Sequence, residues 1–150
     1  MLRELGAKDA ARCAELEKVL FPGETPWSEE VFLADFPQPH TFYFGYEKDG
    51  QLVGYAGLAM MGPAADPEFE ILTIGVDPAA QRQGVGRAMM DNICHIADIK
   101  KAPVFLEVRV GNSPAIKMYE AYGFEKIGLR RNYYQPSGAD AHVMKREGKS

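Results

Sequence analysis

Apolar positions along this chain recur in two periods, and the switches between them mark out the elements. Leu2 to Leu5 reads as a short strand. From Asp9 to Leu20 the residues Cys13, Leu16 and Leu20 fall three and four apart, the spacing of one helical face. Phe21-Pro22-Gly23-Glu24-Thr25-Pro26 must be a loop, because two prolines and a glycine deny it a helix. Ser28 has the chemistry of an N-cap for a second short helix, and Glu29 and Glu30 favour that helix's positive end.

The middle of the chain changes period. Thr41 to Glu47 and Leu52 to Met61 read as strands, and Asp49-Gly50 between them is a hairpin signal. Phe69 to Val76 is the next strand. Gly86 to Ile99 returns to helical spacing, with Val85, Met89, Ile93 and Ile96 on one stripe. In Val104 to Val110 the residues Val104, Leu106, Val108 and Val110 face one way, and Phe105, Glu107 and Arg109 the other. Ser113-Pro114 reads as an N-cap with proline at the first helical position, and Gly123 closes that helix after about Tyr122. Glu125 to Arg130 and Ala141 to Lys145 form a last strand pair around a long loop. The order β-α-α-β-β-β-α-β-α-β-β predicts an α/β domain with a mixed central β-sheet flanked by helices.

Composition narrows the functional classes. A length of 150 residues fits one domain spanning 1–150, with 46% hydrophobic and 25% charged residues. No apolar stretch is long enough to span a bilayer, and Met1-Leu2-Arg3-Glu4 does not begin a signal peptide, so the expected address is the cytoplasm. A net charge of −4 argues against a nucleic-acid partner and weakly suits a basic peptide. Cys13 and Cys94 sit far apart at helix-like positions and read as reduced core thiols. His40, His95 and His142 show no ligand spacing, so no metal is expected.

The segment with the most chemical content is Gln81-Arg82-Gln83-Gly84-Val85-Gly86, set between a strand and a helix. A glycine-spaced turn at a helix start presents several backbone N–H groups to one point. Together with the positive end of the helix dipole, they make a cradle for a pyrophosphate. A dinucleotide fold would want a third glycine where Met89 stands, and a Walker A loop would want Gly-Lys-Ser/Thr in place of Gly-Arg-Ala. The remaining pattern, Gln/Arg-x-x-Gly-x-Gly/Ala, resembles the coenzyme A loop of the GCN5-related N-acetyltransferase superfamily.

A second block is more specific. Leu106-Glu107-Val108-Arg109, Asn112, Ala115-Ile116, Met118-Tyr119-Glu120 and Gly123-Phe124 are followed by Arg130-Arg131-Asn132-Tyr133-Tyr134, Asp140-Ala141 and Met144. With Val76-Asp77-Pro78 and the glycine loop, these resemble the RimI-type ribosomal-protein-alanine N-acetyltransferases. The resemblance is close from Ile71 to Met144. Before that it is weaker, although Phe21-Pro22 and Pro26-Trp27-Ser28 are similar to the family's loop between its first two helices. Gly111 and Gly75 depart from it, standing where serine and alanine are commoner.

The resemblance implies acetyl-CoA as cosubstrate and assigns roles. Glu107 would be the general base, acting through an ordered water; from charge pattern alone it is equally a strand carboxylate paired with Arg109. Tyr119 would be the general acid, since a phenol keeps its proton at neutral pH; without the resemblance it is a core aromatic sharing a face with Ala115 and Tyr122. Asn112 would bind the coenzyme, or else be a plain turn residue. Backbone groups of Ile74, Gly75 and Val76 would hold the pantetheine arm, and the amides of Arg82, Gln83, Gly84, Val85, Gly86 and Arg87 the pyrophosphate. The side chains of Arg82 and Arg87 read either as phosphate partners or as solvated surface charge. Trp27, Tyr133 and Tyr134 would flank an entering peptide. Their alternatives are a core position for Trp27, and exposed loop aromatics or a dimer contact for the tyrosines.

The implied function is a protein N-terminal acetyltransferase acting on an alanine of a small-subunit ribosomal protein. Two rivals stay open on sequence. One is an enzyme of the same superfamily acetylating a small amine, against which the Arg130-to-Tyr134 loop argues. The other is a non-catalytic acetyl-CoA-binding module, against which Glu107 and Tyr119 argue.

Overall fold

The computed structural model of the protein describes residues 1–22 and 26–148, so the centre of the first predicted loop, Gly23-Glu24-Thr25, lies outside the described residues. Seven strands form one sheet in the order β1-β2-β3-β4-β5-β7-β6. They are β1 (Leu2–Glu4), β2 (Thr41–Lys48), β3 (Gln51–Met61), β4 (Glu68–Val76), β5 (Val104–Arg109), β6 (Glu125–Arg130) and β7 (Ala141–Arg146). The helices are α1 (Ala10–Leu20), α2 (Glu29–Asp35), α3 (Val85–Ile99) and α4 (Ser113–Ala121). All neighbours pair antiparallel except β4 and β5, which are parallel and joined through α3.

The sheet separates two cores. On one face α3 buries Val85, Met89, Met90, Ile93, Cys94 and Ala97, and α4 adds Ile116 and Tyr119 over Leu106 and Val108 of β5. On the other face α1 and α2 bury Cys13, Leu16 and Phe32 against Tyr43 and Tyr55. The two cysteines thus lie buried on opposite faces. Each large aliphatic side chain so buried contributes about 1.5–3 kcal/mol, and this burial holds the helices to the sheet.

Local signals set most boundaries. Ser28 caps α2, its Oγ accepting from the Val31 N–H at 3.3 Å. Asp49-Gly50 turns β2 into β3 with both residues at positive φ. The cap of α4 is a correction: Asn112, not Ser113, is the N-cap, its Oδ1 accepting from the Ala115 N–H at 3.4 Å, and Ser113 is the first helical residue. Val110 also departs from the face predicted for it with Val104, Leu106 and Val108. It lies past the end of β5 and is exposed.

Two irregularities shape the centre of the sheet. In the β3–β4 ladder Gly57 pairs with Thr73 and Leu58 with Ile71, leaving Leu72 as an extra residue, a β-bulge. Because a strand alternates faces, this one residue reverses the parity of the remaining β4 positions. Leu72 packs into the α1–α2 core, Thr73 turns to α1, and Ile74 returns to the α3 face. The second irregularity is that the parallel β4–β5 pairing covers only Phe69↔Val104 and Glu70↔Phe105. Beyond those pairs the strands separate. Peptide groups of β4 that point away from β3 then face open space between the strands.

Candidate active site

The gap between the splayed strands opens into a cleft of about 1990 Å³. Its floor is Ile71 to Val76 of β4 and Val108 to Asn112 at and beyond the end of β5. The α3 start and α4 close one end, and Trp27, Tyr133 and Tyr134 also line the cleft. Ligands in open α/β sheets lie beyond the carboxyl ends of parallel strands where neighbours diverge, and this is such a place.

The glycine loop forms the α3 end. Arg82 and Gly84 both have positive φ, 64° and 84°, which turns the chain sharply into the helix. At Gly84 the left-handed backbone requires glycine, and the space around it is open. Gly84 makes no side-chain cap, and the first intrahelical bond is from the Ala88 N–H to the Gly84 carbonyl at 3.0 Å. The N–H groups of Val85, Gly86 and Arg87 therefore stand without intrahelical partners at the positive end of the α3 dipole. The loop is braced from behind. Arg12 of α1 donates to Asp77 at 2.7 Å and to the Leu52 carbonyl at 3.0 Å, and the Ala79 N–H donates to Asp77 at 3.0 Å. The Ala79 N–H first, and then Arg12, hold the Asp77 carboxyl below the usual carboxylate range. Among the described residues neither Arg82 nor Arg87 has a carboxylate partner, and both are exposed. Tyr122 joins α4 to this end, its hydroxyl donating to Asp91 at 2.7 Å and to the Arg87 carbonyl at 3.2 Å.

These features fit acetyl-CoA. Unsatisfied helix-start N–H groups and exposed arginines suit a pyrophosphate, and the β4 segment Ile74, Gly75 and Val76, which β5 leaves uncovered, suits an amide-bearing pantetheine chain. Asn112 lines the cleft while its Oδ1 caps α4. The glycine at 75 also has a physical reason. A Cβ there would lie 2.5 Å from Leu20 Cδ1 and 2.7 Å from the Tyr55 hydroxyl.

Glu107 and Tyr119 lie on opposite faces of the sheet, and of the two only Tyr119 lines the cleft. Leu106 and Val108 belong to the α3–α4 core, so Glu107 between them points to the α1–α2 face. Its side chain is 11% exposed, and the nearby cation is Arg130, with Nε 3.6 Å from Oε1. Burial pushes the Glu107 carboxyl up from the ordinary value, Glu70 pushes it further, and Arg130 pulls it down. Tyr119 is buried against Phe124, ring centroids 5.7 Å apart, and lines the cleft. Burial, with Tyr134 second, raises its phenol well above the ordinary value, so it holds its proton.

The aromatic part of the cleft joins elements far apart in sequence. Trp27 packs on Phe32 at 5.4 Å and Tyr43 at 6.4 Å while also lining the cleft. Tyr133 and Tyr134 meet edge to face at 5.0 Å, and the Arg130 guanidinium lies 5.6 Å from the Tyr133 ring. Sequence reasoning missed Glu17, Tyr55, Thr73 and Glu70. Glu17 had a signal: it lies on the Cys13–Leu16–Leu20 face of α1, a carboxylate within a buried stripe.

The sequence model of the acetyltransferase (GNAT) family matches residues 10–124. N-alpha-acetyltransferase RimI of Mycobacterium tuberculosis is 45% identical over 139 residues, 93% of this chain and 87% of the relative. The [ribosomal protein bS18]-alanine N-acetyltransferase of Escherichia coli K12 is 35% identical over 79% of each chain. The crystal structure of the ribosomal-protein-S18-alanine N-acetyltransferase from Escherichia coli superposes with a TM-score of 0.82 at 28% identity, covering 100% of this chain and 95% of the other.

Proposed function

This chain belongs to the acetyltransferase (GNAT) family, and from that premise we propose that it acetylates the N-terminal amine of a protein. The substrate is an alanine-starting small-subunit ribosomal protein, as the names of two relatives state for theirs. The observation that carries this reading is an aromatic mouth, in which Trp27 and the Tyr133–Tyr134 pair, from two loops far apart in sequence, line one cleft. Such a mouth gives a threaded chain end two rigid surfaces, which a small soluble amine does not need.

Acetyl-CoA supplies the activated acetyl thioester. The N–H groups of Arg82 to Arg87 hold its pyrophosphate, the β4 segment Ile74, Gly75 and Val76 its pantetheine arm, and Asn112 flanks that arm. A fixed β4 N–H aimed at the acetyl oxygen stabilises negative charge there by about 3 kcal/mol, the scale of one oxyanion donor. Glu107 takes the amine's proton through a water. Burial raises its basicity above that of an ordinary carboxylate, toward that of an α-amino group. Tyr119, protonated and buried, gives its proton to the departing thiolate. Residues 1–150 act as one N-acetyltransferase domain, working in the cytoplasm.

The test compares kcat/KM for an Ala-starting peptide of six residues with alaninamide and a polyamine panel. The peptide is expected to lead, with efficiency growing as residues are added. A polyamine or aminoglycoside outperforming every peptide would overturn the reading.

A further inference from the structure

Glu17 is the buried charge that this chemistry leaves unused. It is 3% exposed and lines the cleft. Its Oε1 accepts from the Trp27 backbone N–H at 3.2 Å, and its Oε2 from the Thr73 hydroxyl at 2.8 Å and from the Tyr55 hydroxyl. Among the described residues no lysine, arginine or histidine pairs with it. A carboxylate offers about four acceptor positions, so three donors leave one open, on Oε1. A buried carboxylate with no cation destabilises a fold unless something repays it.

Its placement indicates what does. The β4 bulge turns Thr73 toward α1, which brings Glu17 to the β4 side of the gap. Glu107 stands on the β5 side, on the same face of the sheet. Of the two carboxylates Glu17 lines the cleft, and only Glu107 has its charge offset by an arginine.

We propose that Glu17 is a substrate-binding residue whose carboxylate accepts a hydrogen bond from the α-ammonium of the incoming N-terminus and counters its charge. The amine is thereby held over the gap before Glu107 takes its proton. An N-terminal amine is mostly ammonium at neutral pH, and a charge-assisted hydrogen bond in a water-poor cleft is among the stronger polar contacts. Tyr55 and Thr73 hold the carboxylate in place, and Trp27 ties it to the mouth. This inference rests on the proposed protein N-terminal substrate.

The test measures binding by calorimetry with the site saturated by CoA. The ligands are an Ala-starting hexapeptide and the same peptide with a propionyl group replacing alanine, which keeps the shape and removes the charge. Wild type is expected to prefer the free amine by roughly 10- to 100-fold, the range of one hydrogen bond to a charged group. Glu17→Gln is expected to lose most of that preference while binding the propionyl peptide within about twofold of wild type. Thr73→Val, which keeps the charge and removes one donor, is expected to retain it. Equal loss for both peptides, or an unchanged preference in Glu17→Gln, overturns the assignment. Should Glu17→Gln fail to fold, Glu107→Gln decides: it is expected to keep the larger part of the preference, and losing it all assigns the charge recognition to Glu107. Separate turnover with acetyl-CoA guards the premise. Wild type that cannot acetylate the hexapeptide overturns the substrate reading and this inference with it, whereas active wild type with preference intact in Glu17→Gln overturns the Glu17 assignment alone.

Discussion

Arg130 sets its Nε 3.6 Å from the Glu107 carboxylate, reaching diagonally across β7 from the outermost strand of the sheet. Glu107 shares a row with Val143 and Gly128, while Arg130 shares the row two residues along, the next on that face, with Ala141 and Arg109. The sequence places Arg109 two residues from Glu107, but the cation beside that carboxylate comes from 23 positions downstream, the difference between 130 and 107. Arg130 opposes the upward push of burial and of Glu70 on the Glu107 carboxyl. Replacing it with methionine should therefore raise Glu107 further. The acid limb of the pH profile of kcat/KM is expected to move to higher pH in Arg130→Met. A limb that stays put would disconnect Arg130, or Glu107, from the titration.

Glu107→Gln should trade activity for stability. Removing a general base lowers turnover by roughly 10²- to 10⁴-fold, and loss below tenfold would assign Glu107 a lesser role. The folded carboxyl lies above its unfolded value, so the native state holds the proton more tightly. Wild-type stability consequently falls as pH rises from the unfolded value through the raised folded one. Glutamine does not titrate. Its melting temperature should exceed wild type at neutral pH, and the gap should close at acid pH where Glu107 is protonated. Thermal melts across that range give the answer.

Tyr119→Phe isolates proton donation. The ring keeps its contact with Phe124, so coenzyme affinity and fold should survive while turnover falls by roughly 10²-fold or more. The expected loss is confined to kcat, read beside CoA binding by calorimetry. A fall in CoA affinity matching the fall in rate would make the phenol a binding group instead.

Gly86→Val tests the cradle. A Cβ there meets Val76 Cγ2 at 3.7 Å and Met118 Sδ at 3.8 Å, ordinary contacts, and the backbone is helical. The valine should fold, project into the cleft, and weaken acetyl-CoA binding by about tenfold or more, worth about 1.4 kcal/mol. Unchanged affinity in a folded variant would remove this loop as the pyrophosphate site.

Tyr134→Ala separates peptide binding from coenzyme binding. The peptide KM should rise several-fold while acetyl-CoA affinity changes little. Equal changes in both would place Tyr134 in the coenzyme's surroundings, next to Tyr119.

The sequence by itself determined the strands, the helices and their order, because periodicity, turn chemistry and caps act within a few residues of each other. It also placed the glycine loop at a helix start, where unsatisfied N–H groups follow from helix geometry alone. Even the Ser113 error was one of choosing between adjacent capping residues. Tertiary structure decided what lies between elements. The opening of β4 from β5 after Glu70 and Phe105, and the bulge at Leu72 that turns Thr73 to α1, depend on strand register, which no local pattern encodes. The same holds for Arg130 beside Glu107 and for Glu17 under Tyr55 and Thr73. Such pairs form only when distant segments pack, since a side chain's partner is set by the sheet's order and not by its neighbours in the chain.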